Sequence, residues 1–87
     1  MLDEFIGQKV VIDLRSTFVC LGTLQRIDEN YLEVKNADLH DFRDTDTTRE
    51  NYVAASKATG IKRNRKRVLI ARNDVVAIGL IDDIVDE

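Results

Sequence analysis

Gln8-Lys9-Val10-Val11-Ile12-Asp13-Leu14-Arg15 sets Val10, Ile12 and Leu14 on one side of an extended chain and Lys9, Asp13 and Arg15 on the other. That period of two belongs to a strand with one buried face. Just upstream, Leu2, Phe5 and Ile6 share one side of a single helical turn, and Gly7 can end the turn by taking a positive φ. A short N-terminal helix leading into an alternating strand is therefore expected.

Downstream, Ser16 and Thr17 break the pattern, and Phe18 to Ile27 is apolar on both faces except near its end. Gly22 interrupts this run, which predicts a long second strand bent sharply where the side chain is missing. Asp28-Glu29-Asn30 carries a turn signal, since Asp and Asn side chains satisfy turn backbone groups. From Tyr31 to Leu39 the alternation returns, with Leu32 and Val34 inward and Glu33 and Lys35 outward.

Between His40 and Gly60 the rhythm changes. Thr47 can cap a helix while Glu50, three residues later, returns the bond, so a helix is expected at about 48–59 with Gly60 just past its end. Its apolar stripe is thin (Tyr52, Val53, Ala55, Ala58), which places it on a surface or edge. The run Lys62-Arg63-Asn64-Arg65-Lys66-Arg67 then holds five cations in six residues before Val68–Ala71, read as a strand emerging from a basic loop. Arg72-Asn73-Asp74 is a further turn, Val75 to Ile81 a last strand covered on both faces, and 82–87 an acidic tail.

Eighty-seven residues, 44% of them hydrophobic, supply one core, and no linker or repeat divides the chain, so residues 1–87 form a single domain. The reading is mainly β: a small, strongly bent, five-stranded antiparallel barrel, closed or nearly so, with a short N-terminal helix and a helical insertion between the third and fourth strands at about 40–61. The last two strands are apolar on both faces, so each is expected to meet a neighbouring copy.

A net charge of −3 opposes indiscriminate attraction to nucleic acid, so any such contact must come from a local patch. The lone Cys20 sits in an apolar run and forms no disulfide framework, which suits a reducing compartment. The acidic Met1–Phe5 stretch is unlike a signal peptide, and no apolar run reaches spanning length; a cytoplasmic protein without membrane contact is expected.

Phe5 to Leu14, the interval from Leu14 to Gly22-Thr23-Leu24 and Asp28, and Arg72 to Ile78 leading into Leu80 together resemble the Sm-like family, in a bacterial-type member with degenerate motifs. The likeness covers about two thirds of the chain and omits roughly 40–61. It implies a bent-sheet subunit that assembles into homo-oligomeric rings through its last two strands. It also implies an RNA pocket, for which Asn30, Tyr31, Arg72 and Asn73 are the candidate residues. Two departures fall there. The turn after Asp28 is one residue short, and Arg72 is followed by Asn73 where the family has glycine. Fold and ring therefore carry over better than the pocket.

Tyr31 offers a ring to stack on a base, Asn30 an amide for its edge and Arg72 a cation for its other face, the chemistry used on single-stranded RNA. Lys62, Arg63, Arg65, Lys66 and Arg67 can displace counterions from phosphates, or else solvate a loop and neutralise Asp82, Asp83 and Glu87. His40, Asp38, Asp41, Asp44 and Asp46 match no metal-ligand spacing, so no metal and no cofactor are expected. One histidine and one buried thiol leave no nucleophile–base pair, and a non-catalytic protein is expected. Two functions remain open: a ring that binds RNA, and an oligomeric scaffold that has lost the pocket and docks a protein partner at 40–61.

Overall fold

The computed structural model describes residues 1–44 and 47–85. Asp46 of the acidic stretch and Asp86 and Glu87 of the tail lie outside them. A 3₁₀ turn, Leu2–Phe5, precedes five strands: β1 (Lys9–Leu14), β2 (Phe18–Ile27), β3 (Tyr31–Asp41), β4 (Arg65–Ala71) and β5 (Val75–Leu80). Helix α1 (Arg49–Thr59) lies between β3 and β4. All pairings are antiparallel, in the order β4-β3-β2-β1-β5. The sheet is bent but not closed, because β4 and β5 are its two edges and do not pair with each other.

The bend has a local cause at Gly22. A Cβ there would stand 2.5 Å from Val34 Cγ1 and 3.0 Å from the Lys35 carbonyl oxygen, so β3 crosses β2 as closely as it does only because that position is glycine. Across from it, Asn36 takes a positive φ of 50°, and the β2–β3 register slips between Leu21 and Thr23. The resulting bulge turns the later half of β3.

Alternation then builds two cores. Val10, Ile12, Cys20, Leu24, Leu32, Val34, Ala37 and Ile70 pack inside the bend, with Phe5 of the N-terminal turn against them. On the outer face Val11, Val19 and Leu21 meet Val53 of α1 and Ile81. The insertion is thus a second layer, fixed by Val53, by Tyr52 Oη donating to Asp38, and by Arg49 Nε donating to Asp13 at 2.6 Å. Burial of Cys20, with Asp38 nearby, pushes its thiol up to about 12.

Several expectations need correction. The helix cap is Thr48, whose hydroxyl accepts from Asn51 N–H at 3.1 Å, one residue later than the capping pattern indicated. β4 begins at Arg65, so half of the basic run is strand; cations on an edge strand discourage unwanted pairing. Within one chain β5 is not covered on both faces, since Val76 is 67% exposed. Among the described residues no helix is long and apolar enough to cross a membrane.

Candidate nucleic-acid interface

Asn30, Tyr31, Arg72 and Asn73 come from two turns, β2–β3 and β4–β5, that backbone bonds stitch together at one end of the sheet. Asp28 Oδ1 accepts from the N–H groups of Asn30 (2.8 Å) and Tyr31 (2.7 Å), and Asp28 N–H donates to the Tyr31 carbonyl at 3.0 Å. These bonds, from Asn30 first, hold the Asp28 carboxyl below its usual range. Across the gap, Arg72 N–H donates to the Asn30 carbonyl (2.8 Å) and Arg72 Nη1 to the Asp28 carbonyl (2.6 Å). All four candidate side chains are exposed, and Tyr31 keeps 45% of its surface in solvent. The bonds bring the two turns to one end of the sheet, and Tyr31 lines a small hollow there with Arg26, Asp28, Glu33 and Leu69.

The basic run is divided rather than gathered. Asn64 is its anchor: its side chain accepts from Leu39 N–H (3.1 Å) and donates to the Leu39 carbonyl (3.0 Å), while its own N–H donates to the Ala37 carbonyl (2.8 Å). Arg63 Nη1 donates to Asn36 Oδ1 at 2.9 Å, and Arg65 Nη1 to the Asn64 carbonyl at 3.1 Å. Asn36, Arg63, Asn64, Arg65 and Lys66 consequently line an open groove of about 470 Å³, a cradle rich in positive charge. Lys62 lies apart, in a hollow with Asp38 and Tyr52 beside α1. Arg67 points to the outer face and donates to Glu33.

That contact reveals residues the sequence reading missed. Glu33 also faces Arg26, with Nε 3.4 Å from Oε1, and these partners, Arg67 first, hold its carboxyl below the usual range. Only the cross-strand register brings Arg26 to this place, and no linear spacing encodes it. Asp38 and Asp41 of the acidic stretch serve the fold. Asp38 accepts from Tyr52, and Asp41 accepts from Thr17 Oγ1 at 2.7 Å and from Arg43. His40 stacks on Tyr52 with ring centroids 4.3 Å apart.

No protein-family model matches the sequence, and no curated protein matches it. Among solved structures the chain is similar to a Pyrococcus abyssii Sm protein in complex with a uridine heptamer. That likeness has 16% identity, covers 91% of this chain and 90% of the other, and gives a TM-score of 0.61. At that identity the likeness speaks to the fold, which is Sm-like.

Proposed function

We propose that this chain is a non-catalytic, ring-forming Sm-like protein of the cytoplasm that binds single-stranded RNA. One observation carries the reading: Arg72 bonds to the backbone of Asn30 and Asp28, joining the two turns, far apart in sequence, that carry Asn30, Tyr31, Arg72 and Asn73. A base stacked on Tyr31 would be read at its edge by Asn30, with Arg72 meeting charge beside it. The cradle of Arg63, Arg65 and Lys66 adds sequence-independent attraction for phosphates. The Sm protein with a similar fold was seen with a uridine heptamer, which makes oligouridine the natural first ligand. Ring formation is supported by the two unpaired edges, and on β5 Val76 exposes apolar surface.

The scaffold reading has one feature on its side. Leu14, Phe18, Phe42 and Val76 line a hollow of about 490 Å³ between the start of α1 and the β5 edge, where a protein partner would find apolar surface.

Anisotropy titration of labelled oligouridine across a salt series tests the choice. Affinity that falls steeply with salt, drops when Lys62, Arg63, Arg65, Lys66 and Arg67 become Ser, and falls by about 1–3 kcal/mol in Tyr31→Ala supports RNA recognition. No binding by the native chain at low salt sinks it and leaves the scaffold.

A further inference from the structure

The outer face of the sheet is covered unevenly. Helix α1 and Ile81 cover Val11, Val19 and Leu21. Outside that cover, the register sets Tyr31, Glu33 and Lys35 of β3 opposite Ala71, Leu69 and Arg67 of β4, with Arg65 two residues further along β4. Arg26 of β2 lies opposite Glu33 from the other side. Successive side chains alternate across a strand, so these residues share one face.

Arg26, Lys35, Arg65 and Arg67 are four cations on this strip, with Glu33 among them and Asp28 at the end by Tyr31. Lys35 stands directly opposite Arg67, a like-charge pairing that costs a sheet stability unless an anion lies across it. Glu33 is only 8% exposed and holds Arg67 and Arg26 at once, spacing two guanidiniums along the face. At one end Tyr31 and Leu69 expose ring and aliphatic surface, Leu69 to 47%. Arg65 at the other end borders the cradle. The strip therefore combines spaced cations with a stacking platform over roughly 20 Å, the length of β4 at about 3.4 Å per residue.

We propose that this strip is a second contact surface for single-stranded RNA, one that leads a bound strand from the turn rim across the sheet to the cradle, with Glu33 as an internal counter-ion that restrains the affinity. Phosphates meet Arg26, Arg67, Lys35 and Arg65 in turn, while a base rests on Tyr31 and Leu69. The proposal rests on the RNA reading above but assigns work to Arg26, Lys35 and Glu33, which that reading leaves idle.

The test is the same oligouridine titration across salt, applied to Arg26→Ser/Lys35→Ser and to Glu33→Gln, with circular dichroism confirming the fold of each. The double variant should weaken binding about tenfold at low salt and flatten the salt dependence by about 1.4 in logarithmic slope, the loss of two phosphate contacts. Glu33→Gln should tighten binding several-fold by releasing both arginines. If Arg26→Ser/Lys35→Ser changes neither affinity nor slope while Tyr31→Ala still weakens binding, the strip is overturned and RNA recognition at the rim stands. Failure of the native chain to bind RNA at low salt would overturn both. Should Glu33→Gln lose its fold, the exposed Arg26 and Lys35 still decide the matter.

Discussion

Gly22 lies directly beneath Val34, where β3 crosses β2 so closely that one methyl group on Gly22 would stand 2.5 Å from Val34 Cγ1. The Lys35 carbonyl and Ala37 Cα close the other sides at 3.0 and 3.1 Å, so the neighbours include backbone that cannot swing aside. Gly22→Ala should cost about 1–3 kcal/mol, the usual penalty of overpacking a filled core. Urea denaturation reads this as a lower midpoint at an unchanged slope; an unchanged midpoint would mean that the crossing is looser than described.

Asn64 is the pin of the basic loop, because one side-chain amide pairs with both backbone groups of Leu39. Asn64→Ala should lower stability by about 1–2 kcal/mol, in keeping with two lost bonds. Asn64→Asp should fall between, since a carboxylate still accepts from Leu39 N–H but cannot donate to its carbonyl. Chemical denaturation of the three proteins gives the order directly.

Much of this fold is legible in linear spacing, and the exceptions share a physical reason. The alternation of Val10, Ile12 and Leu14 and the break at Gly22 mark β1 and the bend of β2 because a period of two and a missing Cβ are local properties. Thr47 and Thr48 both carry a capping hydroxyl, and which one caps depends on where α1 docks on the sheet. Arg65 and Arg67 read as loop because charge hides strand character when only one face is buried, yet Val68 and Ile70 just beyond them turn inward. For the candidate site, Asn30, Tyr31 and Arg72 were visible as residue types; the hydrogen bonds that join their turns were not. Arg26, Glu33 and Lys35 became candidates only through the β2–β3–β4 register, which is a long-range property.

Acid should destabilise the protein over a defined window. Hydrogen bonds from Arg67 hold Glu33 below its ordinary 4.5, and those from Arg43 and Thr17 hold Asp41 well below 3.8, as turn N–H groups do for Asp28. A depressed carboxylate contributes stability that is present above its unfolded value and lost as pH falls through its folded value. The urea midpoint should therefore hold near neutrality and drop as pH falls below about 4.5, and Glu33→Gln with Asp41→Asn should flatten that limb. At the alkaline end the sign reverses: Cys20, raised from 9.0 to about 12, contributes stability present below pH 9.0 and lost as pH climbs towards 12. Tyr52, raised by burial and Asp38, adds to that loss above its ordinary 10.0.

The open sheet makes a claim about assembly. With β4 and β5 both edge strands, and Val76 exposed on β5, copies should join edge to edge into a closed ring of roughly five to eight chains. Light scattering over a dilution series should give one mass that is a whole multiple of the 9.9 kDa chain. Val76→Lys should shift that mass towards the single chain, because it places a charge where the neighbour's edge would lie.

Cross-linking with oligouridine carrying 4-thiouridine, followed by mass spectrometry of the attached peptide, goes straight to where RNA lies. Attachment is expected at Tyr31 or Asn30, in the turn that Arg72 braces, and is abolished by Tyr31→Ala or by competing unlabelled RNA. Attachment confined to the insertion at 40–61, or none at low salt, would contradict it.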